Sequence, residues 1–467
     1  MFGPMNLIPR RALCLVGCFL LLSQPAAAQR ATLERQTIRK TLPNGLTLVV
    51  AENHTVPLAT VEVVVRTGAI TQQQDEQGVP HLFEHMLFRS YRDGGVQNFG
   101  EAASRIDAGY NGTTSDESVT YYATVPSAAA TDAVGLLAHL MIDPRFRRED
   151  LATERDVVFG EFNRDLSDPR SQLSLGLERR LWGESFYRKN ALGEATSLYG
   201  ATPERLTAIY HRYYLPNNAA IVVTGDVAAP VIIAEIEKRF AGWKAGPDPV
   251  SLFPIPPIEP LTKPDAVVMS GDVNDITVML MWRGPRVIAD SVDGYAADVV
   301  SDILNDPDSQ FQQRLVDSGL FSHVSISYLS LAHVGPITLV ATTTRPKLDA
   351  ALSALQGELA LAGADDYFSD ADLTFATRRR AVDTAMQLET SDGMAQTLSY
   401  WWAVTGLDHY YGYVDNLAAR TTADLNGYVK RYITGRPFVI GALTPTADAA
   451  LTRFWLKQYI EFSSVTP

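Results

Sequence analysis

Pro80-His81-Leu82-Phe83-Glu84-His85-Met86-Leu87-Phe88 is the stretch around which the rest of the chain is organised. Two histidines stand four positions apart, with a glutamate directly before the second. In a helix, residues at i, i+3 and i+4 share one face, so His81, Glu84 and His85 would project together. Leu82, Phe83, Met86 and Leu87 fall mainly on other faces and could bury the segment in a core. The spacing therefore predicts a helix with one polar face turned to a cavity. Two neutral imidazoles suit a zinc ion, and a carboxylate as third ligand would leave one position open for water. Glu84 is placed to take a proton from that water. A histidine pair at helical spacing can also be a packing feature, but an H-x-x-E-H order in a chain with 8 histidines favours the metal.

Further on, Thr153-Glu154-Arg155-Asp156-Val157-Val158-Phe159-Gly160-Glu161-Phe162 reads as another helix, with Val157, Val158 and Phe162 on its buried side. Glu154 and Glu161 lie two turns apart on one face, and Glu161 follows His85 by 76 positions. The H-x-x-E-H order reverses the commoner H-E-x-x-H zinc-protease order. With glutamates at this distance, the sequence resembles the inverted-motif zinc peptidases (M16) of the pitrilysin, insulysin and mitochondrial processing peptidase group. The resemblance implies that Glu161 is the third ligand of one Zn2+ per chain. It also implies that Glu154 supports the catalytic site, orienting a ligand or tuning the site.

Strand signals flank the motif. Lys40 to Val50 reads as a hairpin turning at Asn44-Gly45, and Thr60 to Arg66 as a β-branched strand. Asn111-Gly112-Thr113-Thr114-Ser115-Asp116 reads as a turn before a strand from Ser118 to Val125. The family resemblance implies something different for the same residues. There, an Asn-small-x-Thr segment lies on an edge strand beside the zinc and pairs with extended peptide substrate, which would make Asn111, Gly112, Thr113 and Thr114 substrate-binding. For Asn111 a plain hairpin turn is the other reading. His211 reads as a surface or packing residue at a helix end; His54, His139, His323, His333 and His409 have no partner at ligand spacing.

Prolines at 247, 249, 254, 256, 257 and 260, followed by Pro264, mark an extended linker over 245–263. Beyond it the first pattern returns. Thr60 to Arg66 matches Thr277 to Arg283, and Tyr210 to Tyr214 matches Tyr428 to Tyr432, at nearly one offset. The expected organisation is a zinc-bearing domain over 29–244 and a homologous domain over 264–467 without a metal set, where Asp298 stands in the place of the first histidine. The expected fold is α+β, two tandem homologous α/β-roll domains forming half of a clam-shell.

The N-terminus reads as an export signal over 1–28. It has Arg10 and Arg11, an apolar run too short to span a bilayer, and a small-residue cleavage site at Ala26-Ala27-Ala28. The signal fits a Gram-negative periplasm. Cys14 and Cys18, the 2 cysteines, both fall inside it, so the exported chain would hold no disulfide. No later segment has the length and purity of a membrane helix. A net charge of −13, from 40 basic and 53 acidic residues, argues against nucleic acid as a partner.

Active relatives of the resembled group supply an Arg and a Tyr seven apart from a half without zinc. Here Arg314 is followed seven places on by Phe321; placing Val316 in the Arg position puts His323 in the Tyr position. The pair is incomplete on both alignments. The expectation is thus a zinc metalloendopeptidase subunit with Glu84 as general base, acting on peptides or unfolded polypeptides. A second similar subunit, or a second copy, would complete it. The alternatives are a non-catalytic assembly or scaffold member of the same group, which would be expected to lose ligands that this chain keeps, and a metal-storage or sensing protein, which would not need Glu84.

Overall fold

The computed structural model describes residues 34–92 and 98–463; the expected signal over 1–28 and both cysteines lie outside them. The first sheet contains β1 (Thr37–Thr41), β2 (Thr47–Glu52), β3 (Leu58–Val65), β4 (Gly109–Thr114), β5 (Val119–Pro126) and β6 (Ala219–Gly225), in the order β1-β2-β6-β3-β5-β4. β1 and β2 form the hairpin expected at Asn44-Gly45, where Gly45 has the positive φ of 89° that a side chain would resist. β2 and β6 are parallel, and the other neighbours antiparallel. The associated helices are α1 (Val79–Ser90), α2 (Ala130–Ile142), α3 (Arg148–Ser167), α4 (Pro169–Trp182), α5 (Pro203–Tyr213) and α6 (Ala229–Phe240).

The second sheet contains β7 (Asp265–Gly271), β8 (Ile276–Arg283), β9 (His323–Tyr328), β10 (Pro336–Thr343) and β11 (Val439–Pro445). Its order, β7-β11-β8-β10-β9, repeats β2-β6-β3-β5-β4. The helices α7 (Ser291–Asn305), α8 (Leu348–Leu361), α9 (Asp370–Met386), α10 (Ser391–Val404), α11 (Thr422–Tyr432) and α12 (Ala449–Ser463) follow the succession of α1 to α6. The two sequence matches fall on β3 with β8, and on α5 with α11. The chain is α+β with two domains and open sheets.

β3 is buried at every position after Leu58, so both faces of its sheet must be covered. Ala59, Val61, Val63 and Val65 face the first domain's own helices. The opposite face, with Val64, Val49 and Val222, is covered by α10 through Met394, Ala395, Leu398 and Trp402. The exchange is reciprocal. Leu173, Leu177 and Leu181 of α4 cover Met281, Val439 and Leu443 on the second sheet. Gly441 permits that approach, since a Cβ there would lie 2.7 Å from Leu173. Each domain thus lends one helix to the other's sheet. Polar contacts fix the joint: Arg66 Nη2 donates to the Trp402 carbonyl at 2.9 Å, and its guanidinium lies 4.1 Å from the Trp402 ring centre.

The proline-rich segment is docked. It forms a helical turn at Pro249–Leu252, Phe253 lies beneath the Arg212 guanidinium, and Asn217 and Gly246 exchange two hydrogen bonds.

Glu62 is the anomaly of the exchanged interface. It points from β3 towards α10, is 0% exposed, and neither carboxyl oxygen has a hydrogen bond of good geometry; Ser399 Oγ is in the same position. Burial pushes the carboxyl up to about 8, against an opposing pull from Ser399. Because the folded value lies above the ordinary 4.5, Glu62's contribution to stability is full below that value and is lost as pH rises towards 8. Glu62→Gln is expected to raise stability by roughly 2–4 kcal/mol at pH 8–9 and by much less near pH 4.5. Thermal melts across this range test it, and a gain independent of pH would contradict the buried-acid assignment.

Candidate metal centre

Helix α1 starts from Gly78, at φ 79°, with Pro80 in its first turn. Leu82, Phe83, Met86 and Leu87 are fully buried, which fixes the helix's rotation and turns His81, Glu84 and His85 to the other side. α3 packs across α1 through Leu151, Glu154 and Val158. Val157, expected on the buried side, is 41% exposed, because the 151–154–158 stripe takes the contact and rotates it outward.

This crossing brings Glu161 to the histidines. Its Oε2 lies 3.5 Å from His81 Nε2 and 3.7 Å from His85 Nε2. One ligand atom from each of the three residues falls within 4.8 Å of the others, and among the described residues no other His/Cys/Asp/Glu cluster of three does so. The donor set of two imidazole nitrogens and one carboxylate oxygen fits a zinc ion with an open position. Burial lowers the His81 pKa, with the neighbouring His85 acting in the same direction, which favours the neutral imidazole a metal needs.

Glu154 lies directly behind His85. Its Oε2 is 3.2 Å from His85 Nδ1, and its Oε1 accepts from Arg89 Nε. Burial alone would raise the Glu154 carboxyl, but the bonds from His85 and Arg89 outweigh it and leave the pKa lowered. An ionised Glu154 accepting from Nδ1–H leaves the Nε2 lone pair of His85 facing Glu161.

Glu84 is 6% exposed. Thr114 Oγ1 donates to its Oε2 at 2.8 Å, and burial raises its pKa despite that bond. Gly112 closes over the same carboxylate: a Cβ there would lie 2.7 Å from Glu84 Oε1. The reading of 111–116 as a turn is corrected here. Residues 109–114 form β4, at the edge of the sheet and paired among the described residues with β5, and the turn occupies 115–118, closed by Ser115 N–H to the Ser118 carbonyl. Thr113 and Thr114 alternate along a strand, as β-branched residues do in a pleat. Asn111 Oδ1 accepts from the Gly112 N–H at 3.0 Å. The turn is held by the second domain, since buried Glu117 accepts from the backbone N–H groups of Ala332 and His333.

A cavity of about 690 Å³ joins these groups. Asn111, Gly112, Thr113 and Thr114 line it with the histidines, Glu84, Glu154 and Glu161, and Phe88, Phe99 and Tyr110 form an apolar wall. Its described lining residues lie between His81 and Leu192. Arg314 takes no part; it is paired at 3.1 Å with Glu358, and Phe321 is buried. Arg89 and the apolar wall were missed from sequence. Arg89 stands four residues after His85, so helical spacing alone could have flagged it.

The corresponding place in the second domain holds an ion pair. Asp298 and Asp302 on α7 stand 217 positions after His81 and His85. Arg380 of α9 makes bonds of 2.8 and 2.6 Å to Asp302, and Asp298 accepts from Tyr413 at 2.6 Å. A built-in guanidinium satisfies Asp302, and a tyrosine hydroxyl meets Asp298. Arg380→Ala is expected to destabilise the fold by about 3–5 kcal/mol, because it leaves the largely buried Asp302 carboxylate without its cation. Denaturant unfolding measures it, and a loss below about 1 kcal/mol would refute the assignment.

Residues 47–196 match the family model described as Insulinase (Peptidase family M16), and residues 200–379 match Peptidase M16 inactive domain. The chain is 25% identical over 324 residues to the uncharacterized zinc protease YmxG of Bacillus subtilis, covering 69% of this chain and 77% of that one. It spans about half the length of other curated relatives that it matches. Among solved structures, a protease from Helicobacter pylori superposes with a TM-score of 0.76 at 21% identity, over 88% of this chain and 99% of that one. The periplasmic protease PqqL from Escherichia coli gives 0.76 at 16% identity, over 92% of this chain and 50% of that one. These structural likenesses bear on the fold. Among the described residues, no helix is long and apolar enough to cross a membrane.

Proposed function

This chain belongs to the M16 peptidase family, and from that premise we propose that it is a zinc-dependent endopeptidase subunit acting on peptides or unfolded polypeptides. The observation that carries the proposal is the convergence of His81, His85 and Glu161 within 4.8 Å, with Glu84 gripped beside them by Thr114. His81 Nε2, His85 Nε2 and a Glu161 carboxylate oxygen would hold the ion. A zinc ion bound there supplies Lewis acidity towards a carbonyl and makes water more acidic.

The chain's own residues supply the rest. An extended substrate lies along the free edge of β4, which offers main-chain hydrogen bonds as a sheet offers them to an added strand. Asn111, Gly112, Thr113 and Thr114 are its contacts. Glu84 takes a proton from the attacking water on its carboxylate and returns it to the leaving amine. Thr114 keeps that carboxylate aimed, and the absence of a side chain at Gly112 gives it room. Glu154 holds the proton on His85 Nδ1.

The cavity draws its walls from residues 81–192, and Arg314 is committed to Glu358. We therefore extend the proposal to a second similar subunit, or a second copy, that closes the cleft and provides the missing Arg and Tyr. A periplasmic location fits the N-terminal pattern. PqqL, about twice the matched length, is a periplasmic protease by its name.

The experiment is cleavage of a fluorogenic peptide library by the purified chain, alone, with chelator, and mixed with a candidate partner, with zinc measured on the same sample. Bound zinc and chelator-sensitive cleavage support the peptidase. Full activity of the isolated monomer would refute the need for a partner. No zinc and no cleavage in any sample would refute the proposal.

A further inference from the structure

Among the described residues, Arg89 is the one strongly basic side chain in the lining of the metal cavity, and no role for it follows from the three ligands and the base. It stands one helical turn beyond His85 on α1, its side chain 47% exposed. Its Nε donates to Glu154 Oε1, while Glu154 Oε2 meets His85 Nδ1. The two carboxylate oxygens are thus divided between two donors on the same helix. That fixes the carboxylate's rotation as well as its position. The Glu154 side chain is 5% exposed, so water could replace the guanidinium only poorly.

We propose that Arg89 is a positioning residue of the metal centre: acting through Glu154, it holds His85 with Nε2 turned to the ion and thereby sets how tightly the ion is kept. This rests on the zinc reading above. Partners that orient a ligating histidine typically change metal affinity by about 10–100-fold. Guanidinium geometry matters, because Arg89 engages Glu154 through Nε; an ammonium is a point charge without a fixed donor at that place. Charge and position act in opposite directions here. A cation beside the site repels a dication, so removing Arg89 by charge alone would tighten binding. Removing its hold on Glu154 weakens binding.

The test is zinc affinity of the apo chain by competition with a fluorescent chelator, for wild type, Arg89→Met, Arg89→Lys, Glu154→Gln and the Arg89→Met/Glu154→Gln double variant. Apo-state thermal melts on the same samples monitor folding. The expected result is zinc binding about 10–100-fold weaker in Arg89→Met, partial recovery in Arg89→Lys, and no further loss in the double variant, since both changes break one chain of contacts. Unchanged or tighter binding in Arg89→Met would overturn the proposal alone, as would fully additive losses. A wild-type chain that holds no zinc would overturn the metal reading and this proposal with it. Should Arg89→Met not fold, Arg89→Lys with Glu154→Gln decides: wild-type affinity in Arg89→Lys overturns the geometric role.

Discussion

Glu84→Gln is expected to lower peptide hydrolysis by about 10²–10⁴-fold, the range that a positioned base contributes, while leaving zinc bound. Glutamine has the same shape, so the close fit against Gly112 survives, and its amide oxygen can still accept from Thr114 Oγ1. What it cannot do is take a proton at neutral pH. Glu84 lies outside the convergent ligand set of His81, His85 and Glu161, so zinc affinity should hold. Measuring kcat and zinc content on one preparation separates the roles. Zinc lost together with activity would make Glu84 a ligand or a structural support, and activity retained would remove it from the mechanism.

His81→Ala is expected to remove both properties. The imidazole supplies one of three ligand atoms, and the residue stands on the cavity face of a helix whose core contacts lie on its other side. The fold should therefore tolerate the change. Metal affinity should fall by more than about 100-fold, the upper end for partners that only orient a ligand, and cleavage should fall to background. The His81–His85 ring contact at 5.0 Å is lost as well, so an apo-state melt must accompany the measurement. A variant that keeps wild-type zinc affinity would transfer the metal to another ligand set. One that loses zinc yet cleaves normally would end the metallopeptidase reading.

Local spacing carried much of this protein. His81, Glu84 and His85 share a face because 3.6 residues make a helical turn, whatever else the chain does. The β-branched run of β3, the hairpin at Asn44-Gly45 and the recurrence of β3 in β8 were legible for the same reason, and so was the α+β class. The resemblance carried by His85 and Glu161 added the family. Where local reading failed, the pairing of one strand with its neighbour had decided. Residues 111–114 look like a turn, with asparagine and glycine together, yet become an edge strand through pairing with β5.

Only the tertiary structure decided the rest. The packing of α3 on α1 carries Glu161 across 76 positions of sequence to the two histidines, and the same packing turns Val157 outward and seats Glu154 between His85 and Arg89. The exchange of α4 and α10 covers one face of each sheet and traps Glu62, which no pattern along the chain discloses. Arg380 satisfies Asp302 and spans the place where the second domain has no metal set. The physical reason is common to all of these. Periodicity fixes which side of an element faces inward, but a buried charge or ligand must be met by a particular partner at hydrogen-bonding distance, and that partner is chosen by how the elements cross.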